Sequence, residues 1–195
     1  YTDVRIPDHR RLGEVAGGWK VAMTTLSNER LALTADAAVG RNLVAPLLRL
    51  ARRTPGVDGR MLIEDAGFRE RLASYYAAVT GIEHIGHRTL TALSRGQNPG
   101  AEATLGKMTL TRLLQSMGEA GMDLAGVGGV VVDRDADPDL YDIQQGFFLA
   151  PGYRMGGGTE EIGKNIIAER VLGLPAEARP DKDVPFNQLG SVSKA

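Results

Sequence analysis

Apolar positions recur at helical spacing along most of this chain, and glycine- and proline-rich breakers cut the pattern into segments. The first segment runs from about Trp19 to Arg53 and stops at TPGVDG, a strong turn signal. A second runs from about Ile63 to Arg95 and stops at RGQNPG. A third starts after Pro99, a residue favoured in the first turn of a helix, and continues to about Leu124. The stretch GVGGVVVDRDADPD then passes from glycine-rich to acidic, and a short helix is predicted over about 139–150. The last helix runs from Thr159 to about Leu172, with Gly173 and Pro175 where a C-cap and a stop belong. Residues 1–14 read as extended, because Val4 and Ile6 alternate before Pro7. Four helices with short connections predict an all-α fold, an antiparallel four-helix bundle over residues 15–175. The polar, proline-punctuated tail at 176–195 is expected to be loose.

Composition narrows the function classes. The chain has 195 residues, enough for one domain with a real core. Its 23 basic and 24 acidic residues leave a formal charge of −1, which is no electrostatic footprint for nucleic acid or an anionic membrane. It has no cysteine, so disulfide and thiolate chemistry are excluded and a reducing, cytoplasmic location is expected. No apolar run reaches membrane-spanning length, and no signal peptide is expected. The chain starts at Tyr1 and is expected to be a piece of something longer.

Candidate chemistry begins in the first helical segment. The neighbours of Glu29 at helical spacing are Ala22, Thr25, Leu26, Ala32 and Leu33. No Lys or Arg stands three or four residues away, so desolvation would raise its pKa toward that of a general base. The alternative is a wetter helix face on which Glu29 is an ordinary surface acid. His84 and His87 share a helical face but lack a third metal ligand at useful spacing. AGVGGVVV lacks the full dinucleotide fingerprint and follows a helix where that fingerprint needs a strand. MGGG lacks the GK[ST] of a phosphate-binding loop, and DRDADPD reads as a solvated loop.

Four stretches together resemble the acyl-CoA dehydrogenase family: DVRIPDHRRLGEVAGGWKVA, LSNERLAL, ARRTPG and GGGTEEIGKNIIAERVLGLP. The resemblance covers about residues 1–175, as the end of the middle β-domain followed by the C-terminal helical domain. It implies FAD as cofactor and an acyl-CoA thioester as substrate. A carboxylate would take the α-proton while the β-hydrogen leaves as hydride, with the thioester carbonyl polarised by hydrogen bonds. Electron-transfer flavoprotein would be the electron acceptor.

In many family members the catalytic glutamate immediately precedes the Gly-Thr of the closing signature, a position that here is Gly157. A branch that includes the isovaleryl and long-chain dehydrogenases draws the glutamate from the first long helix, and the matching residue is Glu29. The resemblance therefore implies Glu29 as base and the Gly157 backbone N–H as donor to the thioester carbonyl. Ser27, Arg30 and Gly158 fall at substrate-contacting positions, and Thr159 and Glu161 at flavin-contacting ones. Arg52, Arg53 and Thr54 match a turn that reaches the flavin diphosphate of a neighbouring subunit; Asp123, Gly126 and Gly128 match the glycine loop of the same site. The chain departs from the family there. Pro55 replaces an aromatic residue, VDG is inserted before Arg60, Asp65 and Ala66 replace a His-Gln pair, and Asp123 replaces a glutamine. Three readings of the parent protein stay open: a homo-oligomeric dehydrogenase, a half-site or non-catalytic subunit of a hetero-oligomer, and an oxidase or monooxygenase of the same superfamily. The fragment alone is expected to be inactive and to bind FAD weakly or not at all.

Overall fold

Local chemistry sets most of the helix boundaries. The structure is a computed structural model that describes residues 2–35, 38–97, 102–178, 184–185 and 187–188, with side chains described except at 30–35, 38–42 and 102–103. The α-helices in order are α1 (Gly18–Ala35), α2 (Ala38–Arg53), α3 (Ala66–Ser94), α4 (Glu102–Ala125), α5 (Pro138–Met155) and α6 (Glu160–Arg170). Among the described residues there is no strand, and Pro55 and Met61 form an isolated bridge across the VDG turn. Asp65 caps α3 by accepting the Phe68 N–H at 2.7 Å, so that helix opens at Ala66. Asp137 caps α5 in the same way through Leu140 at 3.0 Å, with Pro138 behind it in the first turn.

The expected all-α class holds, with more helices than the pattern suggested. The segment from Trp19 to Arg53 comprises α1 and α2, and residues 36–37 lie outside the described set. The helix expected over 139–150 is α5, eighteen residues long, and it continues through Pro151 to Met155. A proline inside a helix forfeits a hydrogen bond and crowds the preceding turn, at a cost of about 3 kcal/mol. Tertiary contacts on both sides of it offset that cost: Ala150 is fully buried before it, and beyond it Tyr153 packs on the core and Arg154 is bonded to α4 and α6 side chains.

The core has one grammar on three helices. Leu43, Leu47 and Leu50 on α2, Tyr75, Val79 and Ile82 on α3, and Leu110, Leu114 and Met117 on α4 each repeat a four-then-three spacing. That spacing puts each trio on one helical face. Full burial of such a side chain stabilises by about 1.5–3 kcal/mol. Helix α4 is the hub, in contact with α1, α2, α3, α5 and α6. Its partner α5 runs antiparallel to it, since Gly121 meets Ile143 whereas Gly118 meets Phe147. The crossing is close: a methyl group on Gly121 would lie 2.3 Å from Ile143 Cγ2 and 3.1 Å from Leu47 Cδ2.

Residues 2–17 are largely exposed and non-helical except for a 3-10 turn at Asp8–Arg10, in keeping with the extended reading. Trp19, at the start of α1, is 80% exposed. Residues 176–178 are exposed and without regular structure, and most of the remaining tail lies outside the described residues.

Candidate active-site wall

Helices α1 and α6 both rest on α4, and this shared support brings together residues far apart in sequence. The loop between α5 and α6 contains Gly157 at φ +65° and Gly158 at φ +108°, backbone conformations that L side chains rarely adopt. The Glu29 carboxylate lies against this loop. A methyl group at Gly157 would sit 3.2 Å from both Cδ and Oε1 of Glu29 and 3.5 Å from Oε2. Glycine is what allows the acid to come so near.

Glu29 itself is exposed, as are Ala22 and Thr25, while Leu26 is half-buried. The desolvation expected for Glu29 is therefore not supplied by this chain. The reason is orientation: α1 packs on α3 and α4, and the Glu29 face stays open to solvent. On the same helix, Ser27 Oγ donates to the Met23 carbonyl at 2.8 Å, which leaves its oxygen lone pairs as acceptors. Arg30 lies outside the described side chains.

A group of charges fastens the glycine loop, and sequence reasoning missed it. Lys107 on α4 is only 3% exposed, and its Nζ donates to the Gly158 carbonyl. Glu160, the first residue of α6, is 5% exposed. Its carboxylate accepts from Arg112 of α4, from Arg154 Nη2 of α5 at 2.7 Å, and pairs with Lys164 at 3.2 Å. Arg112, followed by Arg154, holds the Glu160 pKa down at about 2, against the push of burial. Arg154 also donates to Gln115 at 2.7 Å, so α4, α5 and α6 meet in one network. One signal was legible, the Glu160–Lys164 spacing of four on a helix. The other was a lone lysine among Thr104, Leu110 and Thr111 at helical spacing, all of them buried.

Thr159 caps α6, accepting from Ile162 at 3.4 Å, and both Thr159 and Glu161 are exposed. The Glu161 carboxyl is held below its ordinary pKa by its own backbone N–H and then by Thr159. Glu29, Gly157, Gly158, Thr159 and Glu161 thus gather at one place.

The remaining candidates sit at the other end of α4. Lys107 and Asp123 are sixteen residues apart on that helix, which corresponds to about 24 Å of rise. Asp123 and Arg52 are exposed. Gly126, at φ +52°, opens a 3-10 turn that includes Gly128 and ends at Val130. Gln144, fully buried, braces this turn by donating to the carbonyls of Gly129 and Val131, both at 2.8 Å. Thr54 donates to the Leu50 carbonyl at 2.8 Å. Arg53 bonds Asp137 at 2.6 Å and lies 3.6 Å from Asp139, while Arg49 pairs with Asp139 at 2.7 Å. The acidic loop is exposed at 133–136, as expected, while its Asp137 and Asp139 join the C-terminus of α2 to the N-terminus of α5, an arrangement both helix dipoles favour. His84 and His87 are exposed with ring centroids 6.1 Å apart, and no group that could hold a metal occurs among the described residues.

Residues 16–172 match the family described as acyl-CoA dehydrogenase, C-terminal domain, and the chain belongs to the acyl-CoA dehydrogenase family. It is 32% identical to acyl-CoA dehydrogenase FadE34 of Mycobacterium tuberculosis, over 89% of this chain and 22% of that protein. Acyl-CoA dehydrogenase IpdE1 of the same organism is 30% identical, over 92% of this chain and 44% of that protein. The crystal structure of the ChsE4–ChsE5 complex from Mycobacterium tuberculosis is similar with a TM-score of 0.72 at 27% identity, covering 91% of this chain and 46% of the matched chain. The chain spans less than half the length of the curated relatives it matches. No described helix is long and apolar enough to cross a membrane.

Proposed function

We propose that the protein containing this chain is a flavin-dependent acyl-CoA dehydrogenase that forms the 2,3-enoyl-CoA, with Glu29 as the base for the α-proton. The observation that carries the reading is the seat of the Glu29 carboxylate against Gly157, 3.2 Å from where a methyl group would lie. The closing loop has no acid of its own there, and α1 delivers one from across the fold.

The residues present fit one wall of such a site. The absent Gly157 side chain leaves a cradle beside an exposed carboxylate, and exposed Thr159 and Glu161 flank the start of α6. Bound FAD supplies a two-electron acceptor for the hydride leaving the substrate β-carbon. The chain's own part is to receive the α-proton on the Glu29 carboxylate, to turn the Gly157 N–H to the thioester carbonyl, and to let the acyl chain pass close along Gly158. Cover for the open Glu29 face would come from the rest of the protein, which would also supply the desolvation that a base requires. Electron-transfer flavoprotein is the acceptor proposed for the stored electrons.

The test is anaerobic bleaching of the flavin absorbance by a panel of acyl-CoA thioesters, using the complete protein with any partner subunit. Wild type bleaches, and Glu29→Gln still binds flavin and thioester but slows by about 10³-fold or more, on the scale of general acid–base terms. Equal bleaching by the variant places the base elsewhere. Oxygen consumption during turnover would point instead to an oxidase or monooxygenase.

A second reading, a subunit of a hetero-oligomer with fewer flavins than chains, is favoured by Arg53. Its guanidinium is already bonded to Asp137 within the chain, whereas a neighbour's flavin diphosphate would need it. The similarity to one chain of a two-protein complex is consistent with this. Flavin content decides: about one FAD per chain supports a homo-oligomer, and about half supports the mixed assembly.

A further inference from the structure

We propose that Lys107 is a positioning residue of the site, whose ammonium group holds the Gly158 carbonyl and thereby sets the backbone against which Glu29 lies. The inference rests on the dehydrogenase reading above. Three successive glycines, Gly156 to Gly158, have little conformational preference of their own, and two of them stand at positive φ. Something outside the loop has to choose their conformation. Glu160 fastens the α6 side of the loop to α4 and α5, but it lies beyond the glycines. Lys107 reaches the glycines themselves.

Burying an ammonium group is costly unless it is hydrogen-bonded, and Lys107 is 3% exposed, lining one small cavity with Thr104, Met108 and Gly158. A lysine kept there at that cost is well suited to hold a carbonyl, because a charged donor makes a hydrogen bond roughly twice as strong as a neutral one. The trans peptide is planar, so drawing the Gly158 C=O toward α4 turns the Thr159 N–H the opposite way. One contact thus fixes a peptide plane at the start of α6 and anchors the loop one residue from Gly157, where the Glu29 carboxylate sits, so fewer loop conformations remain open to it.

The experiment compares Lys107→Met and Lys107→Gln in the complete protein, Met matching the volume without a donor and Gln keeping an N–H one bond shorter. Amide hydrogen exchange over residues 156–160 is measured beside the kcat and KM of flavin reduction by an acyl-CoA. For Lys107→Met we expect exchange in that stretch to rise about tenfold while the rest of α4 and α5 keep their protection. We expect kcat to fall about 10- to 100-fold with KM changed by less than about threefold, since a misplacement near 1 Å costs on that order. Lys107→Gln should recover part of both. The proposal is overturned by wild-type loop exchange and kcat in Lys107→Met, by loss of protection spread evenly over α4 to α6, or by Gln doing no better than Met. If wild type shows no reduction by any acyl-CoA, the dehydrogenase reading fails, and loop exchange still decides for or against Lys107.

Discussion

Replacing Gly157 with alanine tests the pairing of acid and loop directly. The added methyl would stand 3.2 Å from Cδ and Oε1 of Glu29, where unstrained carbon contacts lie at about 3.5–4.0 Å. The carboxylate, or the loop, must retreat by about 0.3–0.8 Å on that comparison. Gly157 also has φ +65°, and a side chain in that left-handed region costs about 1–2 kcal/mol. A total stability of about 5–15 kcal/mol absorbs that, so the fold should survive. Catalysis should not survive unchanged, because errors of this size at a reacting group cost about 10- to 100-fold. The assay is stopped-flow flavin reduction in the complete protein, with flavin content and thermal unfolding as controls. Gly156→Ala is the matched comparison. Its φ is −58° and its methyl would meet only the Gly152 carbonyl, at 3.4 Å, so its rate should stay within about twofold of wild type. Wild-type reduction by Gly157→Ala, or an equal loss in Gly156→Ala, would refute the placement of Glu29 against Gly157.

Acid should loosen the α4–α5–α6 junction through Glu160. Its carboxyl titrates at about 2 when folded against an ordinary 4.5, so its contribution is complete above 4.5 and is lost as pH falls toward 2. An acid-unfolding series followed by circular dichroism should show wild type more stable than Glu160→Gln at neutral pH, with the gap closing through that window; a gap constant with pH would contradict the pairing. Gly121→Ala sets two effects against each other. Alanine gains about 1 kcal/mol of helix propensity, but its methyl would stand 2.3 Å from Cγ2 of fully buried Ile143. Overpacking of about 1–3 kcal/mol should win, lowering the melting temperature by roughly 2–4 °C per kcal/mol. A raised melting temperature would mean that the α4–α5 crossing yields more easily than its spacing suggests.

Local rules were legible wherever the cause was local. Asp65, Asp137 and Thr159 cap helices because their oxygens reach N–H groups three residues on. The sequence reading put a helix start at Thr159 but passed over the other two, opening the second helix at about Ile63 and the short one near 139. The four-then-three spacing of Leu43, Leu47 and Leu50 announces a buried face without saying what buries it. Glu29 stood out on its helix, and the glycine loop stood out by composition, yet spacing along the chain cannot measure the gap between residues 29 and 157. Packing decided that gap, by resting α1 and α6 on the same hub helix. Packing likewise carried α5 through Pro151 and turned Lys107 and Glu160 inward, against the usual preference of charges for water. It also set Arg53 on Asp137, where the family resemblance had implied a reach to a neighbouring subunit's flavin diphosphate. Caps and faces follow from interactions within a turn or two of helix, so the sequence determined them. Which charges meet, and which backbone an acid touches, depend on how close whole helices can come, and only the tertiary structure decided that.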